Sequence, residues 1–145
     1  MTEQRIEYDP KVAERVLDAV QAAADGLDRP VPCAFEELTA EPGLMPRLML
    51  KPTASDAVER RYVSGEVLRA FPFSATLRVG ADCEQDRLDA CAWLSQLGAA
   101  FEEVPLEVDG GTVFMQRQRT VPTCLGRTEQ FEDWQVTFEV KYKTR

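Results

Sequence analysis

The residues of this sequence that could perform chemistry are its cysteines and carboxylates, because it contains no histidine. Without an imidazole, Ser/His/Asp and Cys/His catalysis, histidine metal ligands and a histidine pH switch are excluded. Cys33 and Cys124 fall in predicted loops, but a cysteine nucleophile would need a helix N-terminus or a nearby lysine or arginine to lower its pKa. The four cysteines, at positions 33, 83, 91 and 124, form no Cys-x-x-Cys pair. We therefore expect reduced, mostly buried thiols and neither a zinc nor a redox site.

The carboxylates lack the spacing of a catalytic or metal site. Four of them lie within residues 82–89, at the start of a predicted helix, where unpaired backbone N–H groups favour negative charge. A calcium loop would need alternating oxygen ligands around a glycine turn, and that spacing is absent. The adjacent glutamates at 36–37 and 102–103 would point in different directions from a strand or helix rather than share a cleft. We therefore expect no metal, no cofactor and no enzyme activity.

The composition is typical of one ordinary domain, since the 145 residues are 44% apolar and 29% charged. The formal net charge of −8 disfavours sequence-independent electrostatic binding to nucleic acid. The first ten residues lack the basic start and apolar stretch of a signal peptide, and no segment approaches the roughly 18 apolar residues that span a membrane. We therefore expect a single domain over residues 1–145, kept in cytoplasm-like conditions, with no membrane and no direct nucleic-acid recognition.

Two amphipathic helices are predicted to position these residues. The first begins at residues 9–10, an aspartate able to cap followed by a proline suited to the first helical position, and ends at 25–26. The second begins with a capping-box pattern at 82–85 and ends near Glu103. Gly98 lies in its apolar stripe, where glycine costs about 1 kcal/mol relative to alanine. We therefore expect a close approach between this helix and a sheet.

Five strands are predicted, at 48–50, 58–63, 71–79, 112–121 and 133–142. The first is a short apolar run, and the clearest alternation of apolar and polar residues lies at 71–79 and 133–142. Pro72 cannot donate to a sheet ladder, so its strand is expected at an edge or bulged near its start. Segments rich in turn-forming residues predict irregular loops at 28–46 and 122–130. The order of elements predicts an α+β fold, with a mostly antiparallel sheet of about five strands and two main helices packed on one face.

The charges are segregated along the chain. Residues 1–42 and 82–109, which hold the helices, sum to −6 and −7, whereas residues 43–81 and 110–145, which hold the strands, sum to +3 and +2. A folded molecule with two differently charged sides would attract and orient further copies of itself. The sequence equally allows the simpler interpretation that the acidic helix faces are solvated and bind nothing.

Four stretches, taken in order, resemble the small tail terminator or minor capsid (tail completion) proteins of long-tailed bacteriophages and prophages. These stretches are Arg-Arg-Tyr-Val-Ser-Gly at 60–65, Phe-Pro-Phe-Ser-Ala-Thr-Leu-Arg at 71–78, Asp-Arg-Leu-Asp-Ala-Cys-Ala-Trp-Leu at 86–94 and Asp-Trp-Gln-Val-Thr-Phe-Glu-Val-Lys-Tyr at 133–142. They are structural patterns and contain no catalytic signature. The resemblance implies a virion protein that forms a ring, typically six-fold, on the head-proximal end of the tail tube.

In such a role the chain would end tube polymerisation and join the tail to the head connector. The implied partners are further copies of the chain, the tail tube protein and the head–tail connector protein, in the virion tail or neck and in the host cytoplasm during assembly. The two long loops are the natural places to contact tube or connector. We expect subunit contacts between arginines of predicted strands and carboxylates of a neighbour's second helix, the residues being Arg60, Arg61, Arg117, Arg119, Asp86 and Asp89.

A different class of function stays open from the sequence, namely a non-viral cytoplasmic domain that binds a small ligand. Its pocket would be lined by aromatic residues, which are Phe71, Phe73, Trp93, Trp134 and Phe138. These residues also have the spacing of core positions, so packing alone explains them. Ring-shaped particles would favour the first function, and a monomer that retains a small molecule would favour the second.

Overall fold

The computed structural model describes residues 11–29, 31–37, 46–53, 58–80, 84–108 and 110–144, without the side chains of 84–87. Within these ranges two helices are present, α1 (Val12–Asp25) and α2 (Glu84–Glu103). The strands of the same ranges are β1 (Cys33–Phe35), β2 (Arg47–Pro52), β3 (Arg60–Arg61), β4 (Val67–Gly80), β5 (Gly111–Gln118), β6 (Thr123–Arg127) and β7 (Phe131–Thr144).

All the described strands belong to one mixed sheet in the order β1-β2-β4-β7-β5, in which β1 and β2 are parallel and the other pairs antiparallel. β3 pairs with β4 beyond the end of β2, and β6 pairs with β7 beyond the end of β5. The central pair, β4 and β7, is in register over its whole length, with Val67 opposite Thr144 and Gly80 opposite Phe131. These two ends of the sheet are called the Val67 end and the Gly80 end below. The predicted α+β class is confirmed, with seven strands in place of about five.

The core lies between the helices and one face of the sheet. Alternate residues of β4 and β7 point towards the helices and are buried, as their apolar alternation predicts. Phe73 of β4 stacks on Phe138 of β7 at a centroid distance of 5.2 Å, and Phe101 of α2 meets Phe73 and Phe138 edge-on at 5.6 and 5.1 Å. The three rings therefore join both central strands to α2.

The helices agree with the sequence where the structure describes them. α1 ends at Asp25 and α2 at Glu103, as predicted. The predicted start of the first helix at residues 9–10 was wrong, because α1 begins at Val12 with Lys11 as its N-cap and without a side-chain cap there. The predicted capping residue at 82 lies outside the described residues. A Cβ added to Gly98 would collide with the Oε1 atom of Gln118 on β5 and would lie 3.4 Å from the Cβ atom of that residue. The predicted close approach of α2 to the sheet is therefore confirmed, and β5 is the strand that it approaches.

Two predicted loops contain strands, and these predictions were wrong. In the 28–46 segment, β1 pairs with β2 through its flanking backbone, where Leu48 donates to the carbonyl of Pro32 at 3.0 Å and Glu36 donates to that of Leu50 at 2.8 Å. In the 122–130 segment all five residues of β6 are exposed. A strand without a buried face has no apolar alternation, so the sequence pattern could not reveal it.

The predicted strand at 58–63 was too long. Only β3 pairs there, and residues 62–66 form a turn in which Tyr62 donates its N–H to the carbonyl of Glu66 at 2.9 Å and Gly65 donates to that of Tyr62 at 3.1 Å. Gly65 has a φ of +94°, which a β-branched residue would not tolerate. Val63 at the tip is fully exposed, so its apolar character does not mark a buried strand position.

Pro72 lies in the central strand β4, which contradicts the predicted edge position. Its carbonyl accepts the N–H of Thr53 at 2.9 Å just after β2 ends, so its own nitrogen faces the gap between β2 and β3. The backbone N–H that Pro72 lacks would therefore point to a position where no neighbouring strand pairs with β4. The physical constraint on proline was correct, but a local gap beside a central strand satisfies it as well as a sheet edge does.

Candidate functional site

Arg60 and Arg61 lie on β3 at the Val67 end, and both are exposed. Arg60 is opposite Leu68, so it shares the sheet face that points away from the helices, which we call the open face. Arg61 is opposite Val67 and belongs to the helix side. Among the described residues, neither arginine forms an ion pair.

Arg117 and Arg119 lie on the other side of the central pair, on β5 and directly after it. Arg117 is exposed, is in register with Glu139, and lines a shallow groove of about 570 Å³ between β5 and Glu102. Arg119 instead pairs within the molecule, since its Nη1 atom lies 2.8 Å from the Oε2 atom of Glu139. The predicted contact role is therefore better supplied by Arg117 than by Arg119.

Two lysines of β7 lie between these arginines on the open face. Lys141 Nζ is 2.9 Å from Oε1 of Glu59 and 3.4 Å from Oε1 of Glu139, and the hydrogen bond to Glu59 is the main cause that raises the pKa of Lys141. Lys143 Nζ lies over the rings of Tyr62 and Phe114, at 5.1 and 5.6 Å from their centroids.

The structure therefore gathers five cations on the half of the open face nearer the Val67 end. This group, called the basic half, consists of Arg60, Arg117, Arg119, Lys141 and Lys143. On the other half of the open face, Arg78 forms a two-point ion pair with Asp133 at 2.8 and 2.9 Å, while Arg47 and Lys51 of β2 share that face and add positive charge. The two lysines were not predicted as contact residues, although their alternation along β7 places them on the solvent side.

Asp89, the predicted partner of these arginines, lies at the opposite end of the molecule. Asp89 is exposed on α2 beside the Gly80 end. Asp86 precedes it by about one helical turn, and the side chain of Asp86 is not among those that the structure describes. Since β4 has 14 residues and a strand rises about 3.3 Å per residue, the two ends are separated by roughly 40 Å. Arg60 and Arg61 therefore cannot pair with Asp89 within one molecule, which is the arrangement that a head-to-tail contact between copies requires. Arg117 and Arg119 lie nearer the middle of the sheet, level with Pro72 and Ser74 of β4.

An open cleft of about 500 Å³ lies at the Gly80 end, between the end of α1, the exposed side of α2 and the end of β4. Its apolar lining includes Val31, Leu77, Val79, Ala90 and Trp93, and the charged residues of the described lining are Asp28, Arg29 and Asp89. The Trp93 indole donates its N–H to the carbonyl of Arg29 at 2.7 Å, which fixes the ring against the rim. We call this feature the Trp93 cleft.

The aromatic pocket predicted for a ligand-binding domain does not form as expected. Of its five residues only Trp93 lines the cleft. Phe73 and Phe138 are packed against each other in the core, with Phe71 at 5.9 Å from Phe73. Their rings contact other side chains of the core and do not line an open pocket. Core positions and pocket-lining positions have the same spacing in the sequence, so the spacing could not distinguish them.

The described cysteines are free thiols in three different environments. Burial, with a smaller contribution from the charge of Asp25, raises the pKa of Cys33 to about 12. Burial is also the main cause that raises the pKa of Cys91, while Cys124 is exposed, contrary to the expected burial. Cys83 lies outside the described residues, among which no group of three or more potential ligands could hold a metal ion.

Cys33 is expected to react with iodoacetamide far more slowly than Cys124 in the folded protein at pH 8. A thiol with a pKa near 12 holds on the order of a thousandfold less thiolate at that pH than an ordinary cysteine. Peptide mapping by mass spectrometry after short reaction times measures both sites, and unfolding in urea should equalise them. Equal rates in the folded state would contradict the burial of Cys33.

Across the described ranges, no helix combines the length and the apolar composition needed to cross a bilayer. No family model matches this chain, and no curated protein matches it either. Solved structures nevertheless share its fold. A chain from the virion of a native gene transfer agent (GTA) particle has a TM-score of 0.59 and 11% identity, covering 92% of this chain and 98% of that one.

A second solved chain, of which no function is stated, has a TM-score of 0.50 and 13% identity, with 91% of this chain and 89% of that one covered. At such identities the likeness shows the fold alone. The α+β arrangement of this molecule is thus shared, over nearly the whole of both chains, with a component of a virion particle.

Proposed function

We propose that this chain is a non-enzymatic structural subunit of a phage-like virion, which caps the head-proximal end of a tail tube as a homo-oligomeric, six-fold ring. The single observation that carries the proposal is the fold shared with a gene transfer agent virion chain across 98% of that chain. The resemblance of residues 60–142 to tail terminator proteins supplies the particular role. In that role the ring ends tube polymerisation and joins tail to head connector.

The distribution of charge supports assembly with further copies. The basic half occupies one part of the open face, whereas exposed carboxylates of α2 and of the segment after α1, such as Asp89 and Asp28, lie at the Gly80 end. A ring needs a contact in which one patch meets a different patch on the next copy. Two unlike patches at opposite ends of one molecule meet this requirement, and complementary charge orients the encounter.

Removal of this chain from its producing particle tests the role in assembly. We expect unjoined heads and tails whose tubes exceed the normal length, because nothing ends polymerisation or offers a surface to the connector. Electron microscopy of the particles measures both features, and expression of the intact chain from a second copy of its gene should restore them. Normal, joined tails without the chain would overturn the proposal.

Reversal of Arg117 and Arg119 to glutamate is expected to weaken self-assembly at least about tenfold at low salt, and less at physiological salt, where charges are screened. The reversal replaces two cations of the basic half and places new carboxylates beside Glu139. Light scattering at both salt concentrations measures assembly. Lys11→Glu, an exposed change at the residue before α1, alters the net charge by as much as Arg117→Glu alone and is the control for that single reversal. Unchanged assembly of the double variant would remove these arginines from the interface.

The Trp93 cleft is the observation that favours the second candidate, a small-ligand-binding domain. Its volume of about 500 Å³ lies within the range of small-molecule sites, about 300–1,000 Å³. Native mass spectrometry of the purified chain distinguishes the candidates. A monomer that carries a bound small molecule favours the ligand-binding domain, and ring-sized species favour the virion subunit.

A further inference from the structure

The turn between β3 and β4 presents an exposed apolar side chain beyond the Val67 end of the sheet. Val63 at its tip is fully exposed, and Arg60 and Arg61 lie at its base. Two backbone hydrogen bonds close the turn, and Ser64 Oγ accepts the N–H of Glu66 at 3.5 Å. The turn is therefore preformed, so that little ordering is needed when it meets a partner.

The Trp93 cleft at the other end has the complementary properties. Its accessible lining is polar and apolar in about equal parts, with the largely buried Leu77, Ala90 and Trp93 among the apolar residues. The charged residues of the described rim are Asp28, Asp89 and Arg29, two carboxylates and one guanidinium. A cleft of this kind suits an apolar tip flanked by arginines, because the tip loses water contact against the apolar part while the arginines meet carboxylates around it.

We infer that the Val63 turn of one copy docks into the Trp93 cleft of a second copy of this chain. The two surfaces lie at opposite ends of the 14-residue strand β4, so one molecule cannot satisfy its own contact. Each copy offers one turn and one cleft, and the contact therefore repeats from copy to copy. Such a heterologous contact gives a closed ring when the rotation between copies closes, and this inference names the contact of the proposed ring.

The roles of Arg60, Arg61 and Asp89 follow from this arrangement. The arginines at the base of the turn reach the rim of the neighbour's cleft, where Asp28 and Asp89 stand. Val63 occupies the apolar part of the cleft near Trp93. The pairing predicted from the sequence, between Arg60 or Arg61 and a carboxylate of the second helix, would thus form at this contact between two copies.

Two surface substitutions test each side of the contact separately. Val63→Glu places a charge at the tip, and Ala92→Trp fills the cleft from an exposed position of α2. Because both side chains are exposed in the monomer, neither change disturbs the core. Val121→Glu, at a site that is 74% exposed, and Ala99→Trp, at an exposed α2 position outside the cleft, are the matched controls.

Sedimentation equilibrium at low salt measures the association. We expect Val63→Glu and Ala92→Trp each to weaken it about 10- to 100-fold, as loss of a buried valine contact implies, and the controls to leave it unchanged. An equimolar mixture of the two variants keeps one intact turn and one intact cleft, so it should form dimers and nothing larger. Dimers from the mixture alone would identify the contact as heterologous.

Three outcomes would overturn the inference. If both variants assemble like the unaltered chain, the ring uses other surfaces, and the proposed function still stands on its own test in particles. If the unaltered chain stays monomeric at about 1 mM, the turn and cleft have no useful affinity for each other. If native mass spectrometry shows a small molecule that Ala92→Trp excludes and Val63→Glu does not affect, the cleft belongs to a ligand.

Discussion

Replacement of Phe138 by alanine is expected to lower the free energy of unfolding by about 3–5 kcal/mol, the range for removal of a buried aromatic side chain. Phe138 is 1% exposed, and its ring contacts those of Phe73 and Phe101 at centroid distances of 5.2 and 5.1 Å. Its loss would leave a cavity between β4, β7 and α2. Since a domain is typically stable by about 5–15 kcal/mol, this change removes a large part of the total.

Urea denaturation followed by circular dichroism measures the change in stability. Phe114→Ala is the matched control, because Phe114 is 50% exposed on β5, and we expect a loss below about 1 kcal/mol there. Phe138→Leu keeps an apolar side chain in the same site and should lie between the two. A Phe138→Ala protein as stable as the Phe114→Ala protein would show that the three rings do not pack as described.

Replacement of Arg127 by methionine is expected to cost about 3 kcal/mol, at the lower end of the range for removal of one partner from a buried ion pair. Its partner Glu132 is fully buried on the helix side of β7, where the Nε atom of Arg127 contacts its carboxylate. The Trp134 indole donates a long hydrogen bond of 3.5 Å to the same group. The figure is at the lower end because Arg127 is itself 47% exposed and already partly solvated.

A second change in the same protein separates the charge from the packing. Glu132→Gln in the Arg127→Met background removes the buried charge, so we expect most of the lost stability to return, and a double-mutant cycle yields the coupling. Arg119→Met is the control, since its partner Glu139 keeps Lys141 at 3.4 Å and the pair lies towards solvent. If Arg127→Met and Arg119→Met cost the same, the burial of Glu132 has no energetic consequence.

The ion pair of Arg127 with Glu132 could be predicted from the sequence only in part. The alternation of β7 places position 132 on the apolar side, so a buried glutamate there is readable from the sequence. Its partner Arg127 is not, because it lies on β6, which is exposed at every position and carries no pattern. A short strand formed only by pairing with a longer neighbour depends on tertiary contacts, and β1 was missed for the same reason.

The long elements were predictable because each has one buried face. The stripe of α2 and the alternation of β4 and β7 follow directly from which side chains must leave water. The candidate contact surfaces were only partly predictable. Arg60, Arg61 and Asp89 were identified by charge, but their separation to opposite ends of β4 required the register of the sheet. Val63 was misassigned, since an apolar residue at an exposed tip looks like a strand residue in sequence.

The uninterrupted pairing of β4 with β7 has a mechanical consequence. Hydrogen bonds of an antiparallel pair run perpendicular to the strands, so a pull along the strand axis loads all the rungs between Val67 and Gly80 in shear at once rather than opening them one by one. The pair therefore acts as a stiff strut through the molecule. If copies meet through the turn and the cleft as inferred above, a force received at one end of a subunit passes along this pair to the other end without first deforming the subunit.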